Sequence, residues 1–387
     1  MLCLLSLALS VNLSHRNFQK TYELPPNLLN SENVSNILVF MLHVSVIIVN
    51  WNTQDLLIHC LDSLYKNTNI PFELFVIDNN SAIQQTRIQI PPLLQDKHER
   101  SAKKITKSCL TDKKSLINNS GGINTLFGYI ATKYKNVHFI KNVKNMGFAH
   151  AINQGTLKST GEYILTLNPD VIVTEGYIDT LLEKIKADNK LGAITGKLLN
   201  MENRKMLDST GQTMYKNRFA RDRGHHEIDI NQYQEGCVFG TCAAATLYRR
   251  EMLLDVKLNN EFFDNDFFAY LEDVDLAWRA QTRGWKFYFV PGAIAYHQRA
   301  VSSRALLKKI KRKFWGWRNR YLMIIKNDSL LSVIMNVPFL ILCPIKSIKM
   351  LRKRRFIQKR RLVKHREVAK WFVPYLLHAK QKCTYQR

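Results

Sequence analysis

At 387 residues with 46% apolar side chains, the chain is longer than one core usually organises, which excludes a disordered tail or a small disulfide-stapled module. Its formal charge of +26 is uneven, because residues 301–387 hold 24 Lys/Arg against only Asp328 and Glu367. The first 300 residues are therefore nearly neutral, as an enzyme body is, and the basic end points to an anionic partner, either membrane phospholipid or nucleic acid.

In chain order, "MLCLLSLALS" is apolar but has no basic residue before it and no small-x-small cleavage site, so residues 1–43 read as a leader of uncertain role. "HVSVIIVNWN" (43–52) is β-branched and almost continuously apolar, the pattern of a strand buried on both faces. Residues 53–67 then space Leu56, Leu57, Cys60, Leu61 and Leu64 as one helix face, with Thr53 as the expected N-cap. "FELFVIDNNS" (72–81) is a second strand, which completes a βαβ unit with its ligand crevice beyond the carboxyl ends.

Residues 84–132 interrupt this rhythm and read as an insertion. It resumes with a strand at 136–142, a helix at 147–160 and a buried strand over 162–173 that stops at Pro169. A helix at 175–188 and a strand at 191–199 follow, an α/β architecture. Beyond residue 200 the spacing is less regular, with an acidic stretch at 264–275 and an apolar strand over 285–300. From 301 on, basic helices alternate with the apolar run 330–345, which is too short to span a bilayer and reads as lying in its interface. The seven cysteines contain no C-x-x-C pair, which argues for a reducing compartment and against a zinc knuckle.

Several polar residues sit where chemistry is expected, each with a structural alternative. Asp78 ends a buried strand, where a carboxylate reads a base or ribose, or where an Asp-Asn pair simply turns the chain. Asp170 of Asn168-Pro169-Asp170 is placed to ligate Mg²⁺ or Mn²⁺, or to end a strand. The glycines of "NMGFAHAINQG" admit either a ligand or a neighbouring strand. Glu272, Asp273 and Asp275 fall in the first turn of a helix that buries Val274, Ala277 and Trp278. There they offset the helix dipole, and Asp275 pairs with Arg279 four residues on, yet they also cluster behind the aromatic "FDNDFFAY". His297 follows an apolar strand, as a structural imidazole or as a metal ligand.

Taken in order, "VSVIIVNWN", "VIDNNS", "NMGFAHAINQG", "LNPDV", "FFAYLEDVDLAWRAQTRGW" and "AYHQRAVSS" resemble a family 2 glycosyltransferase, of the rhamnosyltransferase-like branch that builds bacterial surface polysaccharides. The resemblance covers residues 44–300. It implies a GT-A fold, a nucleotide-diphosphate-sugar donor, a divalent metal, and inversion at the anomeric carbon of a sugar passed to a glycan or lipid-linked acceptor. It implies donor binding by Asp78 with Asn50 and Asn79 beside it, and by Asn145, Gly147 and Asn153. Asp170 and His297 become metal ligands, Asp273 the general base, and Glu272 its neighbour in the acceptor site. The family's Asp-x-Asp is here Asn168-Pro169-Asp170, one carboxylate short. Residues 301–387 are expected to hold the enzyme on the cytoplasmic face of the membrane. The alternatives are a non-catalytic homologue and a basic nucleic-acid-binding protein, the latter disfavoured because the basic run 350–366 adjoins the apolar run.

Overall fold

The computed structural model describes residues 44–81, 129–299, 306–329 and 331–336. The expected leader 1–43, most of the insertion at 84–132, and everything from 337 onward lie outside the described residues.

Strand β1 (Val44–Asn50) is the centre of the molecule. Its alternate residues feed two apolar layers, which is why its sequence is apolar without a break. Val46 and Ile48 pack with Leu57, Leu61 and Leu64 of α1 (Gln54–Asn67). Ile47 faces the other way, towards Ala149, Ala151 and Ile152 of the helix over Phe148–Lys158. Strand β2 (Phe72–Asp78) pairs parallel to β1, and β3 (Val137–Lys141) pairs parallel to β2. Helix α2 (Phe148–Lys158) then leads into β4 (Tyr163–Leu167), parallel to β1 on its other side.

The strand expected over 162–173 is two strands. The chain turns at Asn168–Asp170, and β5 (Val171–Val173) leaves β4's neighbours to pair elsewhere. Helix α3 (Tyr177–Ala187) and β6 (Leu191–Asn200) match expectation. Next come three short strands that the irregular spacing hid: β7 (Leu207–Ser209), β8 (Gln212–Met214) and β9 (Ala220–Asp222). They are followed by β10 (Gly236–Val238), β11 (Ala245–Arg249), α4 (Arg250–Asp255), α5 (Glu272–Thr282), β12 (Lys286–His297) and α6 (Leu306–Asn327).

The main sheet has the order β10-β12-β6-β11-β4-β1-β2-β3, with β5 on β12 and β7 on β6. Strands β1 to β4 are parallel, β11 is antiparallel to both its neighbours, and β12 is parallel to β6. It is a mostly parallel mixed sheet with helices on both faces, the α/β class that the alternation implied. Gly155 of α2 decides one open question: a Cβ there would lie 2.7 Å from Ile47, so this glycine serves helix–strand packing. Thr53 does not cap α1 with its side chain; its hydroxyl donates instead to Asn50 Oδ1 at 2.9 Å.

Helix α6 differs most from expectation. Charge alone sets it apart from the enzyme body, but Leu322 and Met323 are buried with Phe267 and with Val274 of α5 in a third apolar cluster. Among the described residues, no helix is long and apolar enough to cross a membrane.

Candidate active site

The parallel strands end on one edge, and the polar residues gather there. Asn50 and Asp78 are register partners at the ends of β1 and β2. Asn50 Nδ2 donates to Asp78 Oδ1 at 3.0 Å and to Ser81 Oγ at 3.2 Å. The Ser81 backbone N–H donates to Asp78 Oδ2 at 3.2 Å, and the Ser81 hydroxyl to Oδ1. Asp78, 1% exposed, thus closes the turn that ends β2.

Asn79 stitches the next loop in place. Its amide donates to Asn145 Oδ1 and the Gly147 carbonyl, both at 3.0 Å, and its oxygen accepts from Asn142 Nδ2 and the Met146 N–H. Gly147 has φ +89°, and a Cβ there would stand 2.5 Å from the Phe268 carbonyl oxygen. That carbonyl accepts from the N–H groups of Phe148 and Ala149 at 2.6 and 3.3 Å. Two N–H groups of the first turn of α2 are therefore capped by the 268 loop, which is the backbone that comes close to Gly147. Asn153, expected to bind donor, is engaged within the fold. It is buried, and its amide is saturated by Phe263 O, Asn265 Oδ1 and the N–H groups of Phe262 and Phe263, so it braces the 262–265 loop.

Asp170 and His297 are brought together by backbone pairing. His297 ends β12 opposite Val171 of β5, and the Gln298 N–H donates to the Asp170 carbonyl at 2.9 Å. His297 Nε2 then stands 3.3 Å from Asp170 Oδ1, while Nδ1 is 2.8 Å from Asp208 Oδ2. Burial alone would lower the imidazole pKa, but Asp170 and Asp208 together raise it to about 9. Asp208, on β7 and 1% exposed, would be raised by burial; hydrogen bonds to His225 and His297, with the charges of His297 and Arg299, hold it far below the usual carboxylate range. Arg299 extends the chain of charges, 2.8 Å from Asp208 and 2.6 Å from Asp222.

These residues fit a divalent cation in one way. A carboxylate oxygen and an imidazole nitrogen face each other, and the other ring nitrogen is hydrogen-bonded to a buried carboxylate, as in metal-ligating histidines. Among the described residues no three His, Cys, Asp or Glu side chains form a metal cluster. Two protein ligands would thus need phosphate oxygens and water to complete the shell.

Helix α5 carries the acids. Its N-cap, Leu271, has φ +67° and follows Phe268 and Tyr270, also with positive φ, so the helix starts from a contorted loop. Asp273 Oδ2 accepts from Gln212 Nε2 at 2.8 Å and the Ala243 N–H at 3.2 Å. Burial, with Asp222 nearby, pushes its pKa up to about 6. Glu272 is 6% exposed, and burial beside Asp273 lifts its pKa to about 8. Burial beside a second carboxylate thus disfavours ionisation of Glu272 more strongly than that of Asp273. Asp275 holds Arg279 at 2.8 Å as expected, but fully buried, and it also accepts from Asn327 at 2.7 Å. Arg279 goes on to donate to the Phe262 carbonyl at 2.9 Å and to Val256 O. This is an internal brace, not an ordinary surface pair.

Helix α6 holds that loop from outside. Asn319 Nδ2 donates to the carbonyls of Phe267, Ala269 and Tyr270 at 2.8, 2.9 and 2.7 Å. Lys326 Nζ donates to Asp264 and Asp266. Sequence reading missed Asp208, Gln212, Asp222, Arg299 and Asn319. Of these only Arg299 lies within a quoted motif; the others come from short strands or from the basic helix.

Residues 122–316 match the glycosyltransferase-like family 2. The poly-beta-1,6-N-acetyl-D-glucosamine synthase of Staphylococcus aureus (strain COL) is 28% identical over 158 residues, which are 41% of this chain and 35% of that one. The N-acetylglucosaminyl-diphospho-decaprenol L-rhamnosyltransferase of Mycobacterium tuberculosis is 26% identical over 198 residues, covering 44% of this chain and 62% of that one. The match thus spans about a third of the first relative's length and less than two thirds of the second's. A solved structure of S. aureus TarS aligns over 88% of both chains with 15% identity and a TM-score of 0.46.

Proposed function

Since the chain belongs to the glycosyltransferase-like family 2, we propose that it moves a sugar, rhamnose favoured, from a nucleotide-diphosphate donor to a hydroxyl of a glycan or lipid-linked acceptor. The observation that carries this is Asp273, a carboxylate at the start of a helix whose pKa of about 6 leaves it ionised but basic near neutral pH. Names of relatives from surface-polysaccharide synthesis support the class of pathway.

The reaction is a single displacement with inversion. Asp273 takes the proton of the acceptor hydroxyl as its oxygen bonds to the anomeric carbon, and the bond to the diphosphate breaks on the opposite face. Gln212 and the Ala243 N–H orient the carboxylate, and Glu272 shapes the acceptor side. Asp170 and His297 would hold Mg²⁺ or Mn²⁺ against the diphosphate, with Asp208 fixing the imidazole. Bound there, the ion supplies Lewis-acid stabilisation of the departing charge. Asn50, Asp78, Asn79 and Asn145 form the floor of the donor crevice at the strand ends. The basic segment beyond the described residues would keep the enzyme on an anionic, cytoplasmic membrane face.

The test is transfer from a panel of nucleotide sugars, dTDP-rhamnose and UDP-sugars included, with and without Mn²⁺. Asp273→Asn should lose about 10²–10⁴-fold in rate with donor affinity kept. Transfer surviving in this variant would remove Asp273 as the base, and no binding across the panel would remove the reading altogether.

A further inference from the structure

Beside the N-terminus of α5 lies a cavity of about 210 Å³ lined by Arg218, Phe219, Leu271, Gly316, Trp317 and Arg320. It shares no residue with the Asp170–His297 pair, and its wall at Leu271 is two residues before Asp273. It adjoins the start of the helix that carries the proposed base.

The two arginines differ. Arg218 is fully engaged: Nε and Nη2 bond Asp328 at 2.6 and 3.3 Å, Nη2 reaches Ser332 Oγ at 2.7 Å, and Nη1 the Lys216 carbonyl. Arg320 is 1% exposed, yet its one hydrogen bond runs from Nη2 to the Asn217 carbonyl. Its Nε and Nη1 have no partner among the described residues, and no carboxylate there pairs with it. What surrounds the guanidinium is aromatic, with ring centres of Phe219, Tyr321 and Trp317 at 4.7, 5.3 and 5.9 Å. Ring faces offset only part of the cost of burying a charge whose N–H groups are left unbonded. A buried cation with unused donors, at the edge of a cavity walled by rings, is complementary to an oxyanion joined to something apolar.

We propose that this cavity is an acceptor subsite for a phosphate ester that carries an apolar chain. Phosphate oxygens accept from Arg320 Nε and Nη1, and the first part of the chain lies between Phe219 and Trp317. At its size the cavity holds a headgroup, not a whole ligand. The phosphate is then held by Arg320 of α6 in a cavity whose wall includes Leu271, the N-cap of the helix that carries Asp273. This deepens the proposed function and rests on it for the word acceptor. The same chemistry has a second source, bilayer phospholipid.

The test uses the full chain and decyl phosphate below its micelle concentration, read by tryptophan fluorescence because Trp317 lines the cavity. Decyl phosphate should bind saturably, at least tenfold more tightly than inorganic phosphate or decyl glucoside. Arg320→Met removes the donors. Gly316→Leu fills the cavity and guards against misfolding, since a Cβ at Gly316 meets nothing within 4 Å. Each variant should weaken binding at least tenfold. Undiminished binding in folded Gly316→Leu, or equal binding of decyl glucoside, overturns the subsite. Phosphatidylglycerol vesicles that saturate the same signal and exclude decyl phosphate overturn its assignment to the acceptor. Binding is read without turnover, so a lost subsite with Asp273-dependent transfer intact leaves the function standing, and absent transfer with binding intact does the reverse.

Discussion

Asn319→Asp isolates one group in α6. The carboxylate keeps the volume and the oxygen that Arg318 Nη1 bonds at 2.7 Å, but it turns the donor facing three loop carbonyls into an acceptor. Asn319 is fully buried, so two or more carbonyls lose their donor with no water to replace it. At about 1–3 kcal/mol for each unsatisfied buried group, the loss is about 2–6 kcal/mol. The loop it restrains holds Phe268, Tyr270 and Leu271 at positive φ, a strain of about 1–3 kcal/mol each. The clamp and the strain are therefore comparable, and without the clamp the loop should relax. Thermal melting should fall by roughly 5–15 °C for a domain of this size. Below that melting point kcat should fall about 10²-fold, because Asp273 hangs from the loop and a misplacement of about 1 Å costs that much. The KM for donor should hold. A variant melting within about 1 °C of the parent with unchanged kcat would show that α6 does not position the base.

Three further outcomes follow from the site. As the proposed base Asp273 must be ionised, and with its pKa raised to about 6, kcat/KM should drop tenfold per pH unit below 6 and level off above about 7; a profile flat down to pH 4.5 contradicts the assignment. Asp208→Asn removes the carboxylate beside His297 Nδ1, so the Mn²⁺ needed for half-maximal transfer should rise about 10–100-fold, and an unchanged Mn²⁺ titration removes Asp208 from that role. Truncation after residue 336 should keep transfer but lose salt-sensitive association with anionic liposomes; equal liposome binding by both chains refutes membrane attachment through the basic end.

Periodicity revealed the half of the fold in which each element is long and buried. β1, α1, β2, α2, β4, α3 and β6 each present enough repeats for a period of 2 or 3.6 to show. It failed where elements are three residues long. β7, β8 and β9 are too short to carry a period, although their pairing is local, β7 folding back on β6 and β8 on β9. Asp208 and Gln212 come from this stretch, which is why half of the polar framework around His297 and Asp273 went unseen. The turn at Asn168–Asp170 was legible from proline; that the next three residues change partner to β12 was not, since pairing choice is a tertiary matter.

Beyond residue 300, charge and packing describe different things. Charge counted over a window averages the two faces of a helix, and α6 is basic on average while burying Asn319, Arg320, Leu322 and Met323. Position decides what such a charge does. Lys326, read from sequence as part of a field aimed at an external anion, is spent on Asp264 and Asp266, the acids just ahead of the loop that carries the base. A cut at 300 would remove that lysine together with Asn319, and with them the ion pairs to both carboxylates and the donor to three loop carbonyls. Activity and membrane binding would then be lost together, and neither could be assigned to the residues responsible. The helix thus packs as part of the domain as far as Asn327, and the proposed membrane role is to be sought in the chain that follows it.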